Sequence, residues 1–164
     1  MVDSMLVNAI EAAGTDIIMS VPCNMIAGIL DEIQRRQLKH IPVSREEEGV
    51  GIAAGAALAG KKPLLLMQNS GLGNSINAIL SLTKLYRFPL FLMMSHRGSI
   101  GEKISAQIPM GQAVPVMLSS LGIKHKSITH PDGIADLEAF IGKAFTDCCL
   151  HAALLSRELW SEEI

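Results

Sequence analysis

Apolar positions at helical spacing alternate along the chain with short, unbroken apolar runs. Met5, Leu6 and Ile10 predict an opening helix that Gly14 ends. Residues 16–21 predict a first strand stopped by Pro22, and Asn24 is placed to cap a second helix running through Ile26, Ile29, Leu30 and Ile33. A short second strand is expected over 40–44, a helix of small residues over 45–60, and a third strand over 63–68 whose middle is wholly apolar. A turn at 69–73 opens a helix through Ile76, Ile79, Leu80 and Leu82, followed by a fourth strand at 89–94. Residues 95–112 form the longest irregular stretch, and loops of that length in compact domains usually carry function. A helix over 114–121, a strand over 123–128, a helix over 134–150 and a last strand over 152–156 complete the pattern. The tail 157–164 reads as a loose terminus or a partner contact.

Strands that alternate with helices imply an α/β domain with right-handed crossovers. Runs such as Leu64-Leu65-Leu66-Met67 and Leu90-Phe91-Leu92-Met93-Met94 suit central strands covered on both faces. The expected architecture is a three-layer αβα sandwich on a mostly parallel, about six-stranded sheet, with residues 1–164 as one domain. Composition sharpens this picture. Of the 164 residues, 49% are hydrophobic and only 18% charged, and mean hydropathy is +0.33. Either both sheet faces are covered or some apolar surface is kept for a partner. The net charge of −2, without a basic run, argues against nucleic-acid or membrane-surface binding. No apolar run reaches the ~20 residues of a membrane span, and the first residues read as an amphipathic helix rather than a signal peptide, so a cytoplasmic location is expected. Cys23, Cys148 and Cys149 make a poor disulfide framework, and the adjacent pair is assigned to helix packing. No CxxC or His/Cys ligand spacing is evident, so no metal site is expected.

In a parallel sheet, ligands gather at the carboxyl ends of the strands. Four polar segments fall there: Pro22-Cys23-Asn24, Ser44-Arg45-Glu46, Gln68-Asn69-Ser70-Gly71 and Ser95-His96-Arg97-Gly98. The most informative is Glu46-Glu47-Glu48, followed by Gly49, Gly51, Ala53, Ala54, Gly55, Ala56, Ala57 and Ala59. Three glutamates at a helix start are favoured by its dipole and need no function. The glycines do need a reason, because each costs ~1 kcal/mol relative to alanine in a helix. Close approach of another backbone supplies one. A carboxyl at the head of such a helix, sheltered by tight packing, has its charged form disfavoured and can donate a hydrogen bond as a general acid.

The segment Arg45 to Gly55 resembles the glutamate helix of the pyrimidine-binding domain in thiamine-diphosphate enzymes, with Ala53-Ala54-Gly55 matching the family's small-residue step. The resemblance continues at Asn69-Ser70-Gly71-Leu72-Gly73, similar to a Ser-Gly-x-Gly turn. Val21-Pro22-Cys23-Asn24, Ser95-His96-Arg97-Gly98 and Ala106 to Gln112 resemble the 2-oxoacid decarboxylase branch that acts on phosphonopyruvate and sulfopyruvate. It covers roughly residues 5 to 125.

The resemblance implies thiamine diphosphate as cofactor and Glu46 as the acid bonded to N1′ of its aminopyrimidine, with Glu47 as the fallback. Pro22, Asn69, Ser70 and Gly71 fall at cofactor-binding positions, and Arg97, His96 and Gln107 at substrate-binding ones. Arg97 also reads as a solvated loop arginine, and Asn69 as a helix cap. No Gly-Asp-Gly segment, which holds Mg²⁺ and the diphosphate in this family, is present. The resemblance therefore implies a separate diphosphate-binding beta subunit that holds the Mg²⁺, a hetero-oligomer with self-association of this subunit, and a small anionic 2-oxoacid substrate. The implied reaction is sulfopyruvate to sulfoacetaldehyde plus CO₂, as in coenzyme M biosynthesis, with phosphonopyruvate as the alternative. A non-catalytic nucleotide-binding or scaffold subunit is the reading from a different class. Gly71-x-Gly73 opens a helix after a strand, but the third glycine of a dinucleotide fingerprint and a P-loop Lys-Ser/Thr are both missing.

Overall fold

The computed structural model describes residues 1–163, with side chains through Ser161. Elements follow the chain as α1 (Val2–Ala12), β1 (Ile17–Ser20), α2 (Ala27–Arg35), β2 (His40–Pro42), α3 (Glu46–Leu58), β3 (Pro63–Gln68), α4 (Gly71–Ala78), β4 (Leu90–His96), α5 (Ile108–Ser120), β5 (Lys124–Ile128), α6 (Leu137–Thr146) and β6 (Leu150–Ser156). The six strands form one sheet in the order β2-β1-β3-β4-β6-β5, and every neighbouring pair is parallel. This is the three-layer α/β architecture that the alternating pattern implied.

Side-chain alternation along the strands builds two cores. Leu64 and Leu66 of β3 face one way, with Phe91 and Met93 of β4, against Leu6 and Ile10 of α1, Ile29 and Ile33 of α2, and Ile141 of α6. Leu65 and Met67 face the other way, with Leu92 and Met94, against Val50 and Ala53 of α3, Leu72 of α4, and Val114 and Leu118 of α5. Each fully buried Leu, Ile or Met contributes about 1.5–3 kcal/mol, which is why the central strands carry no polar residue between Leu64 and Met67.

The larger departures from the sequence expectation lie in the second half of the chain. The loop after β4 is shorter, because β4 pairs with β6 through His96 and α5 already begins at Ile108. Pro109 stands in the first turn of α5, where its missing N–H is harmless, and Pro115 lies inside the helix. The helix over 134–150 resolves into a 3₁₀ turn at Pro131–Ile134 and α6, which stops at Thr146. Cys148 takes a left-handed backbone conformation (φ +48°) in the turn that follows, so the Cys148-Cys149 pair is not helix packing. The tail is docked: a 3₁₀ helix over Arg157–Glu163 buries Leu159, and the Trp160 indole donates to Asp3 Oδ1 at 2.9 Å.

The chain leaves β1 towards β2 on one side, then returns across it to β3 on the other. Loops after β1 and β3 therefore diverge at the carboxyl edge, the place where open α/β sheets bind ligands. No helix among the described residues is long and apolar enough to cross a membrane.

Candidate functional site

The three glutamates that open α3 have three different environments. Glu48 reaches back so that its Oε2 accepts the Ser44 N–H at 2.9 Å, closing the helix start. Glu47 pairs with the Arg45 guanidinium at 2.8 Å. Its own backbone N–H, then Arg45, hold its carboxyl below the usual range. Glu46 alone turns towards α4. Its Oε2 accepts from Asn74 Nδ2 at 3.1 Å, and among the described residues its Oε1 receives no hydrogen bond.

Gly71, the first residue of α4, makes room for that side chain. A Cβ at Gly71 would lie 2.6 Å from Glu46 Oε1 and 2.7 Å from its Cδ, and closer still to Cγ. Gly71 has ordinary helical dihedrals, so this glycine answers a need for space and not for backbone freedom. Within this chain Glu46 is half-buried. The shelter that the sequence argument expected around it is therefore only partly supplied by its own fold.

A second polar group lies at the ends of β3 and of the loop after β4. Gln68 Nε2 donates to Ser70 Oγ at 2.7 Å and to Gln107 Oε1 at 3.2 Å, so Gln68, Ser70 and Gln107 form one hydrogen-bonded row. Glycines hold this loop against α5. A Cβ at Gly111 would meet the Arg97 carbonyl oxygen at 2.5 Å and Gly98 Cα at 2.6 Å, and Gly98 itself has φ +80°.

Three other sequence candidates are engaged by the fold. Asn69 is buried, and its amide binds both backbone groups of Arg97: Nδ2 donates to the carbonyl at 2.9 Å and Oδ1 accepts from the N–H at 3.1 Å. His96 Nε2 donates to the Gly111 carbonyl at 2.9 Å. That carbonyl is the one Pro115 would bond if it had an N–H, so His96 repairs the gap that proline leaves in α5. Arg97 forks onto Glu102, Nε to Oε2 at 2.7 Å and Nη2 to Oε1 at 3.0 Å, and among the described residues Nη1 is left over. Glu102 is only 4% exposed. Arg97 and the Ile104 N–H hold its carboxyl far below the ordinary range. Pro22 is exposed just past β1, next to Cys23, whose thiol contacts Ser95 Oγ at 3.2 Å.

Two participants escaped the sequence reading. Asn74 lies one turn into α4, and its spacing of three from Gly71 is the signal that could have found it. Glu102, the buried partner of Arg97, had no signal beyond being an acid in a loop. The assembled feature is a carboxylate at a helix head with one oxygen steered by an amide donor and the other open. Such a group can make one directed hydrogen bond to a ring nitrogen.

A family model described as "Thiamine pyrophosphate enzyme, N-terminal TPP binding domain" matches residues 1–124. A sulfopyruvate decarboxylase subunit alpha from Methanococcus maripaludis is 51% identical over 125 residues, 76% of this chain and 75% of that one. Another from Methanothermobacter thermautotrophicus is 43% identical over 154 residues, 90% of this chain and 91% of that one. Among solved structures, a candidate thiamin diphosphate-dependent enzyme from Mycobacterium smegmatis superposes over 95% of this chain with a TM-score of 0.70 at 15% identity, and the matched part is 30% of that longer chain. At that identity the likeness is one of fold.

Proposed function

This chain belongs to the thiamine pyrophosphate enzyme N-terminal domain family, and from that premise we propose that it is the pyrimidine-binding subunit of a sulfopyruvate decarboxylase. The reaction is loss of CO₂ from sulfopyruvate to leave sulfoacetaldehyde, the step that serves coenzyme M biosynthesis. The observation that carries the reading is Glu46: of three consecutive glutamates it alone is turned onto α4, seated on a glycine and steered by Asn74.

Thiamine diphosphate, when bound, supplies the nucleophilic carbon and the electron sink for decarboxylation. The residues present fit that group, because Glu46 Oε1 is open and the Gly71 notch holds the side chain in one place. Glu46 holds or gives a proton at the aminopyrimidine N1′, Asn74 fixes which oxygen does so, and Pro22 lies at the same edge past β1. Ser70, Gln68 and Gln107 present neutral donors and acceptors to the anionic substrate. Arg97 has Nη1 left over for a sulfonate or carboxylate oxygen, and His96 and Asn69 hold its loop in place.

A diphosphate-binding subunit that holds Mg²⁺ completes the site and shelters Glu46. The surface supports association. Among the described residues, exposed large apolar side chains recur in the α3–α5 layer, among them Leu58, Leu80, Leu85, Tyr86 and Val116, while Ile100 and Ile104 line a cleft with Met25 and Trp160. A Cβ at Gly51 or Gly55 of α3 would meet nothing within 4 Å among the described residues beyond its own helix, which leaves room for the backbone of another polypeptide, a beta subunit or a second copy, to approach closely.

The test combines this chain with a candidate diphosphate-binding subunit, Mg²⁺ and thiamine diphosphate, and measures CO₂ release from sulfopyruvate, phosphonopyruvate and pyruvate. Sulfopyruvate turnover that Glu46→Gln abolishes, without loss of assembly, is the expected result. Full turnover by Glu46→Gln removes that residue from the chemistry, and release only from phosphonopyruvate reassigns the substrate.

A further inference from the structure

At the amino-terminal edge of the sheet, opposite the Glu46 edge, the turn from α6 into β6 brings three metal-ligating side chains together. Asp147, Cys149 and His151 each offer one ligand atom, and the three atoms lie within 4.8 Å of one another. Their spacing of two explains why no familiar ligand motif announces them. The left-handed turn at Cys148, followed at once by the start of β6 at Leu150, folds Asp-x-Cys-x-His together where the sequence pattern predicted a helix through residue 150.

The imidazole is already set in the form a metal needs. His151 is fully buried at the start of β6, its ring stacked on Phe140 at 4.9 Å with an interplanar angle of 21°. Its Nδ1 lies 3.3 Å from the Phe140 carbonyl oxygen, which can only accept, so Nδ1 carries the proton. Nε2 is left with its lone pair, aimed at Cys149 Sγ at 3.3 Å. A histidine that donates one ring N–H to a backbone carbonyl and presents the other nitrogen is the usual arrangement around a bound metal. Tetrahedral zinc, with bonds of about 2.3 Å to sulfur and about 2.1 Å to nitrogen, separates those ligand atoms by about 3.6 Å, close to the distance found.

We propose that Asp147, Cys149 and His151 bind a borderline-soft divalent transition-metal ion of the zinc class, with solvent in the fourth position. The ion takes the place of the Cys149 thiol proton, so one proton leaves for each ion bound. Asp147 swings from its loose contact with the exposed Lys124, 3.7 Å away, to become the third ligand. The exposure of Asp147 keeps the fourth position open to water. Cys148 is the neighbouring thiol, but its Sγ faces the Phe145 carbonyl at 3.8 Å and is no part of the site. A bound ion ties the end of α6 to the start of β6, far from the decarboxylation chemistry.

The test titrates the full chain, stripped by chelator, with Co²⁺ and then Zn²⁺. One equivalent of Co²⁺ should give a near-ultraviolet thiolate charge-transfer band that Zn²⁺ displaces. Cys149→Ser should remove the band and weaken Zn²⁺ binding by at least about 100-fold, more than the loss of an outer partner costs. Asp147→Asn, on an exposed turn that tolerates change, should weaken Zn²⁺ about tenfold, whereas Cys148→Ser should leave the band intact. Absence of the band in the wild-type chain, its survival in Cys149→Ser, or its loss in Cys148→Ser would each overturn the proposal.

Discussion

Gly71→Ala tests the Glu46 notch with a single methyl group. The added Cβ would sit 2.6 Å from Glu46 Oε1 and 2.7 Å from Cδ, where ordinary contact begins near 3.4 Å. The Glu46 side chain must therefore retreat by about 1 Å, and a displacement of that size costs about 100-fold when the moved group takes part in chemistry. The expected loss in kcat/KM is about 2.7 kcal/mol of transition-state stabilisation. Unfolding is not the cause, because Gly71 is already helical and alanine favours a helix by up to about 1 kcal/mol. The assay measures sulfopyruvate decarboxylation with the partner subunit present, alongside thermal unfolding of the chain alone. In a Glu46→Ala background the new methyl has no side chain to strike, so there Gly71→Ala should raise stability relative to Glu46→Ala alone. A Gly71→Ala enzyme within twofold of wild type would refute the argument that the glycine exists to seat the glutamate.

Three further outcomes follow from the packing. Arg97 lowers the Glu102 carboxyl far below its ordinary 4.5, so the pair's contribution is complete above that value and shrinks as pH falls towards the folded one. Glu102→Gln should cost about 1–3 kcal/mol at neutral pH, the worth of hydrogen bonds to a charged group, and flatten the acid limb of a urea-denaturation series, and parallel limbs would contradict this. His96→Ala leaves the buried Gly111 carbonyl without a donor, at about 1–3 kcal/mol, and Pro115→Ala should recover much of that loss by restoring a helical N–H. Additive effects of the two substitutions would show that they do not share that carbonyl. Gly51→Ala and Gly55→Ala should each stabilise the isolated chain by about 1 kcal/mol in thermal unfolding while weakening subunit assembly in size-exclusion titration. Unimpaired assembly would mean that no backbone approaches there.

The alternation of unbroken apolar runs with apolar positions at helical spacing was enough to predict six strands and the helices between them, because burial on both sheet faces leaves an unbroken apolar signature. Residues 63–68 show this best: the strand runs over the expected residues. Residues 108–113 and 147–151 were misread for a related reason. Pro115 looks like a helix breaker until His96, 19 residues earlier, is known to bond the carbonyl it frees. Leu150 looks helical until β6 is seen to pair between β4 and β5.

The candidate site divides in the same way. The run of three glutamates before a small-residue helix was legible as a place where a carboxylate meets a close neighbour. Which glutamate it is depends on partners outside the run: Ser44 takes Glu48, Arg45 takes Glu47, and Gly71 and Asn74 are left to receive Glu46. Likewise Asn69, His96 and Arg97 are chemically able to bind a ligand, yet the fold commits most of their hydrogen-bonding groups to the loop after β4. Local spacing decides which residues a helix or a strand presents, since that follows from backbone geometry alone. Strand order and the meeting of α3 with α4 come from burying two apolar faces at once, and only that packing decides which polar groups remain free to act.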